Sequence, residues 1–373
     1  MSPPVEPISP WQYFWLVSIS TVAGGIYLWP QYLVEHTGSN GIFSLIPSIF
    51  LATLLLLFQV GFARDLHQAT FLSGLRRLLP VLGLGFIFPV TAVLCLLTDL
   101  ILLALYGLMM HNFYYPFTPP IVIDGAIALT TGWVAMRTLS SVARTVQFWF
   151  PIILLGVVLV VTFNAANLIH PAAVIPSPLF LVRPWLENIL STWFLYANGS
   201  VVVTLTPHVR WDRKHSAYRM VIYAMAFQGF ILVMFYFICL ATLGAPAVSH
   251  LYWPIVYVFT LISTQAFFIK GLGIVVIITW TVAIVLFLAV HVFCFSFNIT
   301  DQTAKPAGTL IRTAVVFAMV GLMAGSTLLI PSDLVARTVL FHWLNPLDFG
   351  WAALVSPGLW LLSNLLRRRS AAQ

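Results

Sequence analysis

Residues 20–30 read Ser-Thr-Val-Ala-Gly-Gly-Ile-Tyr-Leu-Trp-Pro ("STVAGGIYLWP") and fall inside the first long apolar run of the chain. Each glycine costs a helix roughly 1 kcal/mol relative to alanine. Hydrocarbon offers no water to re-solvate a backbone that opens at such a weak point. A paired glycine in mid-span therefore marks either close packing of a neighbouring helix or a deliberate break that lines a cavity. A second run decides between the two. From Trp185 to Pro207 the chain starts at a tryptophan, stays apolar, meets Ala197-Asn198-Gly199-Ser200 and stops at a proline. From Trp11 to Pro30 it does the same around Ala23-Gly24-Gly25.

The rest of the composition sets the environment. Of 373 residues, 61% are hydrophobic and only 7% charged, and the mean hydropathy is +1.00. A soluble domain carries about a quarter charged residues. The chain reads as a polytopic, all-α integral membrane protein without a separate soluble domain. Ten spanning helices are expected, at about 11–34, 41–62, 81–109, 119–136, 146–166, 185–206, 217–243, 273–298, 309–329 and 338–364. The apolar stretch 251–269, limited by Pro254 and by "KGLG" (270–273), is expected on the rim and not as an eleventh span. Ten spans place every Lys and Arg except Arg183, Lys270 and Arg337 on the side of the two termini. That asymmetry makes both termini cytoplasmic, and it explains the net charge of +7 better than nucleic-acid binding does. No cleavable signal is expected, because the leader before Trp11 lacks a basic region.

The two breaks fall in the first and sixth of ten spans, corresponding places if the chain is two five-helix halves, about 11–166 and 185–364. Interrupted helices at matching positions point to an inverted-repeat transporter core. The stranded N–H groups suit a carboxylate and the freed carbonyls suit an ammonium group or a cation, so an amino acid matches both. The expected ligand site is Ala23, Gly24, Gly25 and Ile26 facing Ala197, Asn198, Gly199 and Ser200. Asp99 and Thr279 are expected to flank it. Asp99 lies well inside the third span, where acids are costly. It could carry a proton, accept from a ligand ammonium, bond the open backbone of the first helix, or serve as a structural acid paired with a hydroxyl such as Thr98. Thr279 and Thr281 on the eighth span could join a cation or substrate site, or bond their own backbone.

Cys95, Cys239 and Cys294 all lie in apolar segments and read as small buried hydrophobes. The nine histidines show no metal-ligand spacing, and mid-helix His291 reads as a structural hydrogen-bonding group. No nucleophile–base or metal motif occurs, so an intramembrane enzyme is disfavoured. No metal or other cofactor is expected beyond a bound cation or a coupled proton.

At the amino terminus, "SPWQYFWLVSISTVAGGIYLWPQYLVEHTGSNG" (9–41) resembles the opening of the spore germination permeases, the B subunits of nutrient germinant receptors. That family lies in the amino acid–polyamine–cation transporter superfamily. "FTPPIVID" (117–124), "SSVARTVQFWFPIILL" (140–155), "VIPSPLF" (174–180) and "FFIKGLGIVVIITWTV" (267–282) are similar to further family stretches. Two positions differ from the family's habit. Lys270 is followed by Gly271-Leu272-Gly273 where an acid is usual, and Asn198-Gly199-Ser200 stands where a glutamate is common. The resemblance implies a LeuT-like fold with discontinuous helices 1 and 6. It also implies a germinant-sensing role with A and C partner subunits in the inner membrane of a spore. An ion- or proton-coupled amino acid transporter uses the same pocket.

Overall fold

The computed structural model describes residues 6–21, 25, 27–66, 70–165, 168–177, 182–197, 200–261, 272–300 and 307–371. Among these residues the regular structure is helical, with one isolated bridge between Ile8 and Val209. The helices that matter below are α1 (Pro10–Ile19), α2 (Trp29–Thr37), α3 (Ile42–Ala63), α4 (Phe71–Leu78), α5 (Phe88–Phe113), α6 (Pro120–Ala135) and α7 (Leu139–Ala165). They continue with α8 (Val182–Ser191), α9 (Val201–Leu205), α10 (Ala217–Leu243), α11 (Ala245–His250), α12 (Pro254–Leu261) and α13 (Leu272–Thr300). The last are α14 (Ala307–Ala324), α15 (Ser326–Leu329), α16 (Asp333–Thr338) and α17 (Asn345–Ala371).

Six stretches among the described residues are long and apolar enough to cross a membrane: Trp29–Ala63, Pro80–Phe113, Leu139–Ala165, Ala217–Leu243, Val276–Thr300 and Asp333–Arg368. Two shorter apolar helices, Pro120–Ala135 and Gly308–Ala324, accompany them. The first and sixth expected spans are each in two pieces. α1 stops at Ile19 and α2 begins at Trp29; α8 stops at Ser191 and α9 begins at Val201. The stretch 251–269 contains α12, whose Ile255, Val256 and Val258 are fully buried; its residues 262–269 lie outside the described part.

The start of α1 is written locally. Ser9 accepts the backbone N–H of Gln12, the Gln12 side chain accepts the Ser9 N–H, and Pro10 opens the helix. This reciprocal cap satisfies two N–H groups that a helix start leaves open. The end of α1 is not local, and the candidate site grows from it.

The two broken segments lie antiparallel. At one end, Ile8 N–H donates to the His208 carbonyl at 3.0 Å, and the hydroxyls of Tyr13 and Thr206 are 2.9 Å apart. At the other, the Asn188 amide donates to the Leu33 carbonyl and the Thr37 hydroxyl, both at 3.2 Å. Start meets end twice, so the two interruptions fall at the same depth. α13 is the most enclosed of the long spans and packs on α6, α7 and α14.

Candidate functional site

A helix that stops in mid-protein strands its last carbonyls, and each needs a donor. For α1 those donors come from other helices. The Gln228 amide of α10 donates to the carbonyls of Ser18 (3.0 Å) and Val17 (3.4 Å). The Thr21 hydroxyl turns back to Val17 and Ser18, both at 3.2 Å. His291 of α13 donates from Nε2 to the Ser20 carbonyl at 2.9 Å. The carbonyls of Val17, Ser18 and Ser20 thus already accept from protein side chains; those of Ala23 and Gly24, expected to face a ligand ammonium or cation, lie outside the described residues.

The far side of the same imidazole meets Asp99. His291 Nδ1 stands 2.8 Å from Asp99 Oδ1, and both residues are buried. Proton bookkeeping follows from the acceptors. The Ser20 carbonyl can only accept, so Nε2 carries a hydrogen. A contact of 2.8 Å between Nδ1 and a carboxyl oxygen needs one more proton between them. The pair is thus imidazolium–carboxylate or imidazole–carboxylic acid, and either way its net charge is zero. Cys95, one turn before Asp99 on α5, completes the group. Its Sγ is 3.8 Å from His291 Nδ1 and 3.9 Å from Asp99 Oδ2. Nothing in the sequence pattern announces this trio except the i, i+4 spacing of Cys95 and Asp99; His291 comes from a distant helix. Of the roles open to Asp99, the structure gives it contact with the first break, through histidine.

α13 supports the second break as well. The Asn298 amide, seven residues beyond His291, donates to Ser200 Oγ (3.2 Å), Thr204 Oγ1 (2.8 Å) and the Cys294 carbonyl (2.8 Å). Ser200 also lines a small cavity together with Cys95 and His291.

The breaks themselves abut. A methyl group built on Gly25 would stand 2.2 Å from Cε2 and 2.7 Å from Cδ2 of Phe194. Only glycine allows that approach. The sequence reading sets the two breaks facing each other across a solute. At Gly25 the described residues put a phenyl ring directly on the backbone, that of Phe194 in the buried, irregular 193–195 turn. The sixth segment also borders open space: a cavity of about 50 Å³ lined by its Trp193, Tyr196 and Ala197 and by Gln59, Asp348 and Ser356. Trp193 Nε1 donates to Asp348 Oδ2 at 2.9 Å. The buried Gln59 Oε1 has no hydrogen-bond partner among the described residues.

Of the expected site residues, Gly25, Asp99, Ala197 and Ser200 are thus gathered around the breaks. Ala23, Gly24, Ile26, Asn198 and Gly199 lie outside the described residues. Thr279 stands apart. Its hydroxyl donates to the Val276 carbonyl at 2.8 Å, and its side chain meets Gly156 of α7. Successive residues turn by about 100° around a helix, so it is Trp280 and Thr281 that reach the first break's neighbourhood. The Trp280 ring lies 5.5 Å from that of Tyr27, and the Thr281 hydroxyl is 2.7 Å from that of Tyr106.

Two further acids in expected spans escaped the sequence reading. Asp348 is the carboxylate of the larger cavity. Asp124 of α6 is fully buried and accepts from the Ser326 hydroxyl (2.8 Å) and the Thr327 N–H (3.2 Å), anchoring α15. Away from the breaks, Arg337 of α16 is buried, donates to Gln31 of α2 and to the Tyr252 carbonyl, and stacks over Tyr252 and Trp253.

A family model described as "Spore germination protein" matches residues 7–333. A search of curated protein sequences finds no significant match. Among solved structures, MhsT in complex with L-phenylalanine superposes with a TM-score of 0.66 at 14% identity, covering 96% of each chain. The substrate-bound outward-open state of a Na+-coupled sialic acid symporter gives 0.66 at 15% identity, covering 94% of this chain and 79% of that one. At such identities the likeness is one of fold, and that fold is the LeuT-like arrangement of membrane helices. By its match over nearly the whole length, this multi-pass membrane chain belongs to the spore germination protein family.

Proposed function

We propose that the chain is a germinant-receptor subunit that binds a small nutrient, an amino acid, at the level of the two breaks and signals to A and C partner subunits. Its place is the inner membrane of a spore, with both termini cytoplasmic. The observation that carries the reading is the antiparallel pair of interrupted segments meeting at one depth, with Gly25 against Phe194. Two local features support a zwitterion. The cavity beside the sixth-segment break offers the Asp348 carboxylate and Gln59 Oε1, which has no partner among the described residues, as acceptors for an ammonium group. Among the described residues no side chain caps the start of α2; Pro30 has no N–H, so the N–H groups of Trp29 and Gln31 are the ones a carboxylate would meet. A solute that reaches from one break to the other has to move the Phe194 ring off Gly25. That ring movement is the signal.

A second reading, a proton-coupled amino acid transporter, is favoured by one observation: Asp99 and His291 share a proton at Nδ1, and the same imidazole donates from Nε2 to the Ser20 carbonyl at the first break. Reconstituted, tag-free protein distinguishes the two. Saturable binding of labelled amino acids without accumulation in vesicles supports the receptor. Accumulation driven by an imposed pH gradient supports the transporter. Neither binding nor accumulation across the twenty amino acids contradicts both.

A further inference from the structure

We infer that Cys95, Asp99 and His291 form a site for a transition-metal dication of the zinc class, seated on the first helix break. The donor set is a thiol, a carboxylate and an imidazole whose ligating atoms all lie within 4.8 Å of one another. Around tetrahedral zinc, with bonds of about 2.3 Å to sulfur and 2.0–2.1 Å to nitrogen, ligand atoms stand roughly 3.3–3.6 Å apart. The sulfur is 3.8 Å from Nδ1 and 3.9 Å from Asp99 Oδ2, so an ion between them draws each in by a few tenths of an ångström. The 2.8 Å contact of Nδ1 with Oδ1 opens slightly as the ion replaces the shared proton.

Three independent features fit a metal better than a plain hydrogen-bonded pair. First, the imidazole is oriented as metal-bound histidines are: the nitrogen away from the site donates to a backbone carbonyl, Ser20 at 2.9 Å, which fixes the tautomer and leaves Nδ1 for the ion. Second, the charges close. Asp99 and His291 are buried, and among the described residues the Asp99 carboxylate has no hydrogen-bond partners but His291 and Cys95. A dication on a thiolate, a carboxylate and a neutral imidazole has zero net charge, the same as the metal-free group with its thiol proton and its shared proton. Binding one ion therefore releases two protons. Third, the site has an open side. Cys95 and His291 border a cavity of about 20 Å³ that also touches Thr91 and Ser200, room for one water as a fourth ligand. The sulfur and nitrogen donors select against sodium or magnesium, which take oxygen. An ion here couples α5, α13 and the end of α1, and so controls the first break.

The test uses tag-free, full-length protein in detergent with Co²⁺ as the optical probe and Zn²⁺ as competitor. One equivalent of Co²⁺ is expected to give tetrahedral visible bands and a thiolate-to-cobalt charge-transfer band, both erased by Zn²⁺, with two protons released per ion. Cys95→Ser is expected to lose the charge-transfer band, and Cys239→Ser, altering a buried cysteine outside the group, to keep it. His291→Gln is expected to weaken binding by more than the roughly 10–100-fold that loss of an outer-sphere partner costs. No stoichiometric band in the wild type, or a band that survives Cys95→Ser, overturns the assignment. Should the variants fail to fold, X-ray absorption of the zinc-loaded wild type decides: a shell with one sulfur supports the site, and a shell of nitrogen and oxygen alone overturns it.

Discussion

His291 and Asn298 lie seven residues apart on one face of α13, and each donates to a different broken segment: His291 to the Ser20 carbonyl, Asn298 to Ser200 and Thr204. Two helical turns of a single enclosed helix thus splint both interruptions. Interhelical hydrogen bonds in membranes contribute about 0.6 kcal/mol on average and up to about 1.7. Asn298→Ala, which removes two bonds to the sixth segment, is expected to destabilise the protein by about 1–2 kcal/mol. Thermal unfolding in detergent measures it, and an unchanged midpoint counts against the splint.

The Gly25–Phe194 contact is a test of its own. A methyl at position 25 must displace the ring, and overpacking of this kind costs about 1–3 kcal/mol. Gly25→Ala is expected to lose that much stability, and Phe194→Ala in the same chain to recover part of it. A double-mutant cycle should return a coupling of about 0.5–3 kcal/mol. Additive effects would mean that the two breaks do not touch.

Asp99 separates hydrogen bonding from packing. In Asp99→Asn the amide still donates to His291 Nδ1, so stability should change by less than about 1 kcal/mol. Asp99→Leu leaves that nitrogen buried with only the weak Cys95 thiol as partner, at about 1–3 kcal/mol. Equal effects of the two changes, read from thermal unfolding, would argue that no such bond forms.

Arg337 ties the second half of the first segment to the 245–261 connection through Gln31 and the Tyr252 carbonyl. Charge-assisted hydrogen bonds of this kind contribute about 1.5–3 kcal/mol. Arg337→Ala should therefore raise the population of an opened connection roughly ten- to a hundred-fold. Labelling of a single reporter cysteine introduced by Ser249→Cys reads the change as a faster rate. An unchanged rate would show that Arg337 does not hold the connection.

Much of the architecture was legible in the chain because its causes are local. Apolar runs identify a membrane protein, and the glycine pair and Ala197–Ser200 weaken their helices wherever those helices pack. The partners of the stranded groups were not legible. Asp99 meets His291 across 192 positions, and Gln228 reaches Ser18 across 210; no periodicity encodes a pairing between helices that have not yet been placed. The same holds for Phe194, one aromatic among 29 phenylalanines until Gly25 is set beside it. Which face of α13 carries Thr279 was not legible either, because span boundaries leave the rotation of a helix undetermined, and one residue is 100°. Asp348 sits in the first turn of α17, where an acid ordinarily complements the helix dipole, and Asp124 lies just past the first turn of α6, so burial set them apart only in three dimensions.

The claim on which the functional reading rests is that the two breaks together seat a small solute. Calorimetric titration of tag-free wild type and Gly25→Leu in lipid nanodiscs, against the twenty amino acids, tests it most directly. Expected is saturable binding of at least one amino acid to the wild type and its loss in Gly25→Leu, with helical content unchanged. Equal binding by both proteins would contradict it.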